Sequence, residues 1–95
     1  WWPHNEMLIA FLKAYYLTND EQYLEKYKLV HEYTFTHFKD KEYGEWYGYL
    51  HRDGTVSHTQ KGSHWKGPYH HPRCLMLCES ILDDIANDRP IRTIL

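Results

Sequence analysis

Apolar side chains recur at helical spacing through the first part of this 95-residue chain. Leu8, Phe11, Leu12 and Tyr15 occupy one face of a helix, which predicts a helix from about residue 3 to about residue 17. A second stripe of this kind predicts another helix over about 20–38. Because the connection between them is short, the two helices are expected to pack antiparallel.

The rest of the chain predicts one more helix and a small β-hairpin. Pro72 in a first turn opens a helix over about 72–86, and Asp53–Gly54 between β-prone flanks indicates a hairpin over about 43–59. The tail 91–95 has no period, and we expect a docked terminus. The predicted fold class is therefore all-α with a small β-hairpin, and 1–95 form a single segment.

The aromatic content exceeds what a small core can enclose. Four Trp, nine Tyr and three Phe make up 17% of the chain, so some of these rings are expected to line a cleft or an interface. The chain also starts abruptly at Trp1-Trp2 without an initiator Met. We therefore expect it to be a piece of a longer protein.

Charge and hydropathy exclude two classes of partner. Eleven basic residues against thirteen acidic ones give a net charge of -2, and the basic residues are scattered, which disfavours nucleic acid. No apolar run approaches the roughly 20 residues that span a bilayer, and the first residues do not resemble a signal peptide. The expected location is the cytoplasm, with no membrane contact.

Residues 61–73 concentrate chemistry just before the third predicted helix. This loop carries three His, two Lys, one Arg, one Trp and one Tyr. It ends at a helix N-terminus, where partial positive charge favours anionic or electron-rich groups. His70 and His71 lie at this junction, and their position is consistent with helix capping, metal binding or substrate binding.

The two cysteines favour neither a disulfide nor a metal centre. Cys74 and Cys78 are four positions apart on a predicted helix, where Cβ atoms lie roughly 5–6 Å apart. A disulfide needs about 3.8 Å between them, so buried free thiols are expected. Paired zinc-ligand spacings are missing here, which places metal binding well below proton transfer.

Three ordered blocks carry a family resemblance. They are Trp-Trp-Pro-His-Asn-Glu at 1–6, Tyr-Gly-Glu-Trp-Tyr-Gly-Tyr-Leu at 43–50, and Trp-Lys-Gly-Pro-Tyr-His-His-Pro-Arg at 65–73. From residue 1 to about Leu82 the chain resembles the C-terminal part of the N-acylglucosamine 2-epimerases, and cellobiose 2-epimerases and sugar isomerases are similar. The resemblance implies the C-terminal part of an (α/α)6 barrel whose active site lies in the central cleft.

The resemblance also implies the reaction, which interconverts N-acetylglucosamine and N-acetylmannosamine by moving the proton at C2 of the open-chain sugar. A C–H next to a carbonyl is a weak acid, so a base and an acid on opposite faces and donors for the enediolate oxygen are needed. Histidine serves either role near neutral pH. The resemblance assigns one catalytic histidine to His70 and places its partner upstream of residue 1.

Further site residues follow from the matched blocks. The predicted substrate-binding residues are Glu6, Trp2, Trp65, Lys66 and Arg73, and the supporting residues are His71 and Trp46. The plainer alternatives are core packing for Trp2 and Trp65, a solvated first-turn position for Glu6, a surface position for Lys66, and capping for His71. We expect Arg73 to brace Glu6 through a salt bridge and Trp46 to be buried as the anchor of the hairpin.

Cofactors and partners are expected to be few. We predict no cofactor and no metal; some relatives are modulated by nucleotide, yet no phosphate-binding glycine loop is present. The expected ligand is a small sugar, and the full-length protein is expected to be a homodimer. Alternatives are an aldose-ketose isomerase, a cellobiose 2-epimerase, or a carbohydrate- or protein-binding segment without catalysis, since mammalian relatives were also known as renin-binding proteins.

Overall fold

A computed structural model describes residues 1–92 and contains three helices. Helix α1 spans Trp2–Thr18, α2 spans Glu21–His37 and α3 spans His70–Ala86. In this described part of the chain there is no β-strand, so the all-α class is confirmed. None of these helices combines the length and apolarity needed to cross a bilayer.

Helix α1 lies between the other two and supplies more of the core than either of them. Its side chains Leu8, Ile9 and Leu12 are buried. Lys26 lies over the ring of Phe11, and His4 stacks on Tyr33, so α1 and α2 run antiparallel. A left-handed Asn19, with φ of 56°, ends α1, and Asp20 caps α2 by accepting from Gln22 N–H at 3.0 Å.

Two polar contacts show that α1 and α3 run parallel. Asn5 contacts His71 near the start of both helices, and the Tyr16 hydroxyl donates to Asp84 at 2.9 Å near their ends. Asp84 is buried, and Arg92 Nε donates to it at 2.7 Å, which lowers the pKa of this carboxyl. Residues 93–95 of the predicted docked tail lie outside the described residues.

The predicted two-stranded hairpin over 43–59 is not observed. The segment takes part in two isolated antiparallel bridges, Leu50 with Val56 within it and Trp46 with Lys39 before it. The chain does reverse at the predicted Asp53–Gly54 turn, where His51 N–H donates to Thr55 carbonyl oxygen at 2.7 Å. Left-handed Gly44 and Glu45, with φ of 80° and 63°, interrupt the extended backbone that a ladder needs.

Helix α3 begins two residues earlier than predicted, because proline marks a first turn rather than a first residue. His70 is the first helical residue and Pro72 the third. The first N–H groups of a helix have no acceptor within the helix, so a residue without N–H is tolerated anywhere in that turn. The earlier start places His70 and His71 on the helix itself.

Candidate active site

One carboxylate on α1 meets two cationic or ionisable side chains on α3. Glu6 Oε1 lies 2.9 Å from His70 Nδ1, and Arg73 Nη1 donates to Glu6 Oε1 at 2.8 Å and Oε2 at 3.1 Å. We call these three residues the Glu6 cluster. The hydrogen bond with His70 is the main cause that lowers the pKa of Glu6, and Arg73 adds to it against an opposing effect of burial.

The contact with Glu6 fixes how His70 can act. An ionised carboxylate only accepts hydrogen bonds, so when His70 is neutral its ring proton is on Nδ1, which faces Glu6. The lone pair of the neutral imidazole is then on Nε2. The side chain of His70 is 31% exposed, so its ring is accessible to solutes. A histidine held in this way can accept a proton and share the resulting charge with a carboxylate.

Aromatic side chains frame this imidazole. The ring of Trp2 lies 5.5 Å from that of His70 at a tilt of 34°, and Tyr69 approaches edge-on at 4.9 Å. Arg73 lies over the ring of Tyr69 at 5.7 Å. Trp2 and Tyr69 are both exposed, so flat apolar surface adjoins the Glu6 cluster on its open side.

The neighbouring histidine has a different environment. His71 is buried; its Nδ1 lies 3.3 Å from Asn5 Nδ2 and its Nε2 lies 3.5 Å from Glu45 Oε1. Its ring packs on Trp46 at 4.4 Å. Burial lowers the pKa of His71, Glu45 opposes that change, and Lys66 reinforces it. The structure gives α3 no side-chain cap, so the capping alternative for His71 is wrong.

Glu45 and Lys66 extend this environment into the loop. Glu45 Oε1 accepts from Trp46 N–H at 2.7 Å and from Lys66 Nζ at 3.2 Å. Burial raises the pKa of Glu45, but these two donors outweigh it and the net direction is downward. We call Asn5, His71, Glu45 and Lys66 the His71 network.

Lys66 and Trp46 are both internal side chains. Lys66 is only 5% exposed, so the surface-lysine alternative is wrong, and its ammonium faces Glu45. Binding of sugar oxygens by Lys66 stays a prediction. Trp46 is 2% exposed and packs against Phe35 and Phe38, which is the anchoring position expected of it.

Trp65 lies apart from this buried group. Its side chain is 75% exposed and packs edge-on against His64. It lines a cavity of about 180 Å³ together with Tyr49, His58 and Lys61. An exposed indole with polar neighbours is suited to stacking on a sugar ring.

The cysteines are free, buried thiols, as expected. Cys74 and Cys78 have their sulfur atoms 4.0 Å apart. Their mutual hydrogen bond is the main cause that raises the pKa of Cys78 and lowers that of Cys74. Across residues 1–92, no three His, Cys, Asp or Glu side chains come together in a way that could hold a metal ion.

Sequence reasoning missed three residues of this region: Asn5, Glu45 and Tyr69. Asn5 is completely buried on α1 and contacts His71. Asn5 stands in the first of the three matched blocks, but no local pattern indicates that it pairs with His71. The pairing follows from the packing of α1 against α3, which joins Glu6 to His70 and Asn5 to His71.

The sequence model of the N-acylglucosamine 2-epimerase (GlcNAc 2-epimerase) family matches residues 1–74. The match covers most of the chain, including Glu6, His70 and Arg73. This chain belongs to the N-acylglucosamine 2-epimerase family.

Individual relatives agree with this assignment. The chain is 53% identical over 87 residues to the N-acylglucosamine 2-epimerase of Bos taurus, and 51% identical over 82 residues to that of Homo sapiens. These matches cover 92% and 86% of this chain. A cellobiose 2-epimerase of Ruminococcus albus is 37% identical over 78 residues, or 80% of this chain. The chain spans about a fifth of the length of these relatives, which is 21%, 19% and 20% respectively.

Proposed function

We propose that this chain is the C-terminal part of an (α/α)6 sugar 2-epimerase that interconverts N-acetylglucosamine and N-acetylmannosamine. The observation that carries the proposal is the 2.9 Å contact between His70 Nδ1 and Glu6 at the start of α3. It leaves Nε2 of a partly exposed imidazole without that carboxylate contact, next to exposed aromatic rings and within the segment that matches the family. The greater identity to the acylglucosamine enzymes than to the cellobiose enzyme favours a 2-acetamido sugar.

In the proposed reaction, His70 moves the proton at C2 on one face of the open-chain sugar. The C2–H bond breaks and its proton passes to the base, its electron pair forms the C1–C2 double bond, and the carbonyl electrons pass to the oxygen to give an enolate that keeps the acetamido group on C2. A second acid–base group, outside this chain, acts on the opposite face. Return of a proton to that face inverts C2 and regenerates the carbonyl, so the overall reaction consumes no proton.

Glu6 and Arg73 would support His70 in this reaction. When Nε2 takes the substrate proton, the ring becomes an imidazolium, and the carboxylate at Nδ1 stabilises the new charge. Arg73 contacts both oxygens of Glu6 and so fixes the direction in which the carboxylate points. Trp2 and Trp65 offer flat apolar surfaces for the sugar.

The packing of the helices supports the barrel architecture. An (α/α)6 barrel repeats helix hairpins in which like helices run parallel and the helices of each hairpin run antiparallel. Here α1 and α3 are parallel, and α2 is antiparallel to α1. Further helices would also cover exposed apolar residues such as Leu29, Leu75 and Met76.

The test is exchange of the C2 proton with solvent deuterium in the full-length protein that contains this chain. His70→Asn should reduce exchange by about 10² to 10⁴, the usual contribution of a general acid–base group. His64→Asn, at an exposed histidine in the same loop, is the matched control and should exchange like the wild type. Retained exchange in His70→Asn would contradict the assignment.

Substrate choice separates the remaining candidates. The similarity to cellobiose 2-epimerase makes epimerisation of cellobiose the second candidate activity. Mannose is the substrate that tests for an aldose-ketose isomerase. Turnover of N-acetylmannosamine, mannose and cellobiose by the full-length protein distinguishes the three. Sugar affinity without C2 exchange on any of them would instead indicate a binding protein.

The 95 residues alone are expected to show no turnover, because the second acid–base group is outside them. Adding the upstream part of the protein as a separate polypeptide should restore activity. Turnover by the isolated chain would contradict the two-group mechanism.

A further inference from the structure

Two neighbouring pairs of side chains join α1 to α3. Glu6 contacts His70 at 2.9 Å, and one residue away on each helix Asn5 contacts His71 at 3.3 Å. The first pair is partly exposed, whereas the second is buried. Because the pairs lie on the same two helices, any change of register that separates one pair also displaces the other.

Both ring nitrogens of His71 are engaged inside the protein. Asn5 Nδ2 is placed to donate to Nδ1, and the proton on Nε2 then faces the carboxylate of Glu45 at 3.5 Å. One face of the ring packs on the buried Trp46 at 4.4 Å. The imidazole has no freedom to reach a substrate, so it acts through the residues that it contacts.

We propose that His71 is a positioning residue for His70, acting through Asn5 to hold α1 and α3 in the register at which Glu6 meets the His70 imidazole. The inference rests on the proposed function, because His70 is taken there as the proton-transfer group. It assigns the His71 side chain a role in the rate of the reaction without contact with the sugar.

The contact with Asn5, rather than the contact with Glu45, should carry this effect. Asn5 is fully buried and adjoins Glu6 on a continuous helix, so its position is transmitted directly. Glu45 lies in a loop, its side chain is 46% exposed, and it already has Trp46 N–H and Lys66 as partners. Loss of the contact between His71 and Glu45 therefore leaves Glu45 with its other two partners and leaves the α1–α3 register unchanged.

Two substitutions separate these contacts. Asn places its amide near the position of the imidazole Nδ1 and keeps the partner of Asn5, whereas Gln places its amide near Nε2 and keeps the partner of Glu45. His71→Asn should retain kcat within about twofold. His71→Gln should lower kcat about tenfold to a hundredfold with KM unchanged, since a displacement of about 1 Å at a reacting group costs up to about 10².

The measurements are kcat and KM for the full-length protein, with the midpoint of thermal unfolding for the same samples. Equal kcat values for the two variants would overturn the inference, as would a kcat loss that disappears when corrected for the folded fraction. A wild-type protein without C2 exchange overturns the proposed function and this inference together. An active wild type with equivalent variants overturns this inference alone.

Discussion

His70 and His71 are adjacent in sequence and differ in nearly every physical respect. His70 is about a third exposed, at 31%, and shares a carboxylate with Arg73 in the Glu6 cluster. His71 is buried, faces Asn5 and Glu45, and packs on Trp46. The helical turn of roughly 100° per residue directs neighbouring side chains to different surroundings. One position is therefore suited to exchanging protons and the other to holding structure.

This contrast predicts how substitutions divide. Changes in the Glu6 cluster should alter activity with little effect on stability, because exposed ion pairs contribute at most about 1 kcal/mol. Changes in the His71 network and around Trp46 should alter stability, because buried groups left without partners are costly. The predictions below test this division in the full-length protein, from the largest expected effect to the smallest.

Two tryptophans give the largest contrast. Trp46→Ala removes a side chain that is 2% exposed and packed on Phe35 and Phe38, and should lower the free energy of unfolding by about 3–5 kcal/mol. Trp65→Ala, at a side chain 75% exposed, should change it by less than about 0.5 kcal/mol. Urea unfolding measures both. Similar losses for the two variants would contradict the burial that separates them.

Two glutamates give a smaller contrast of the same kind. Glu45→Ala leaves the buried ammonium of Lys66 without its carboxylate and should lower the free energy of unfolding by about 2 kcal/mol. Breaking a fully buried ion pair costs about 3–5 kcal/mol, and the loss here is smaller because Glu45 is half-exposed. Glu6→Ala should cost less than about 1 kcal/mol and yet reduce C2 exchange. Denaturant unfolding and deuterium exchange on the same samples check this. A larger stability loss from Glu6→Ala would reverse the comparison.

The two regions should also respond to pH in different windows. The folded-state pKa of His71 is lowered from 6.5 by burial, so its stabilising contribution is complete above pH 6.5 and is lost as the pH falls below it. The pKa of Glu6 is lowered from 4.5, so its stabilising contribution is complete above pH 4.5 and is lost as the pH falls through the folded-state pKa. Unfolding midpoints between pH 7 and pH 5 should fall less in His71→Asn than in the wild type. An identical fall would show that His71 does not titrate as described.

A small stability change is expected at Arg73. Arg73→Lys keeps the charge beside Glu6 but loses the planar donor that contacts both oxygens, and should change the free energy of unfolding by less than about 1 kcal/mol. If the direction of the Glu6 carboxylate matters, C2 exchange should fall while KM stays constant. Wild-type exchange in this variant would limit Arg73 to a passive salt bridge.

Much of the fold was predictable because helices depend on local spacing. The apolar stripes through Leu12 and Tyr27 located α1 and α2, and Pro72 located α3 to within two residues. The hairpin prediction at 43–59 was wrong about strands, because turn residues identify a reversal but do not ensure a ladder. At the site, the salt bridge between Glu6 and Arg73 was expected. The partner of Lys66 and the burial of Asn5 were not, since both depend on residues distant in sequence.

The sequence by itself determined the helices, the free cysteines and the segment that identifies the family, because each is a pattern within short stretches of chain. Tertiary structure alone decided which of two adjacent histidines faces solvent. That outcome depends on how α1 packs against α3, which brings Glu6 to His70 and Asn5 to His71. Contacts between residues more than sixty positions apart follow from helix packing, and no local pattern encodes them.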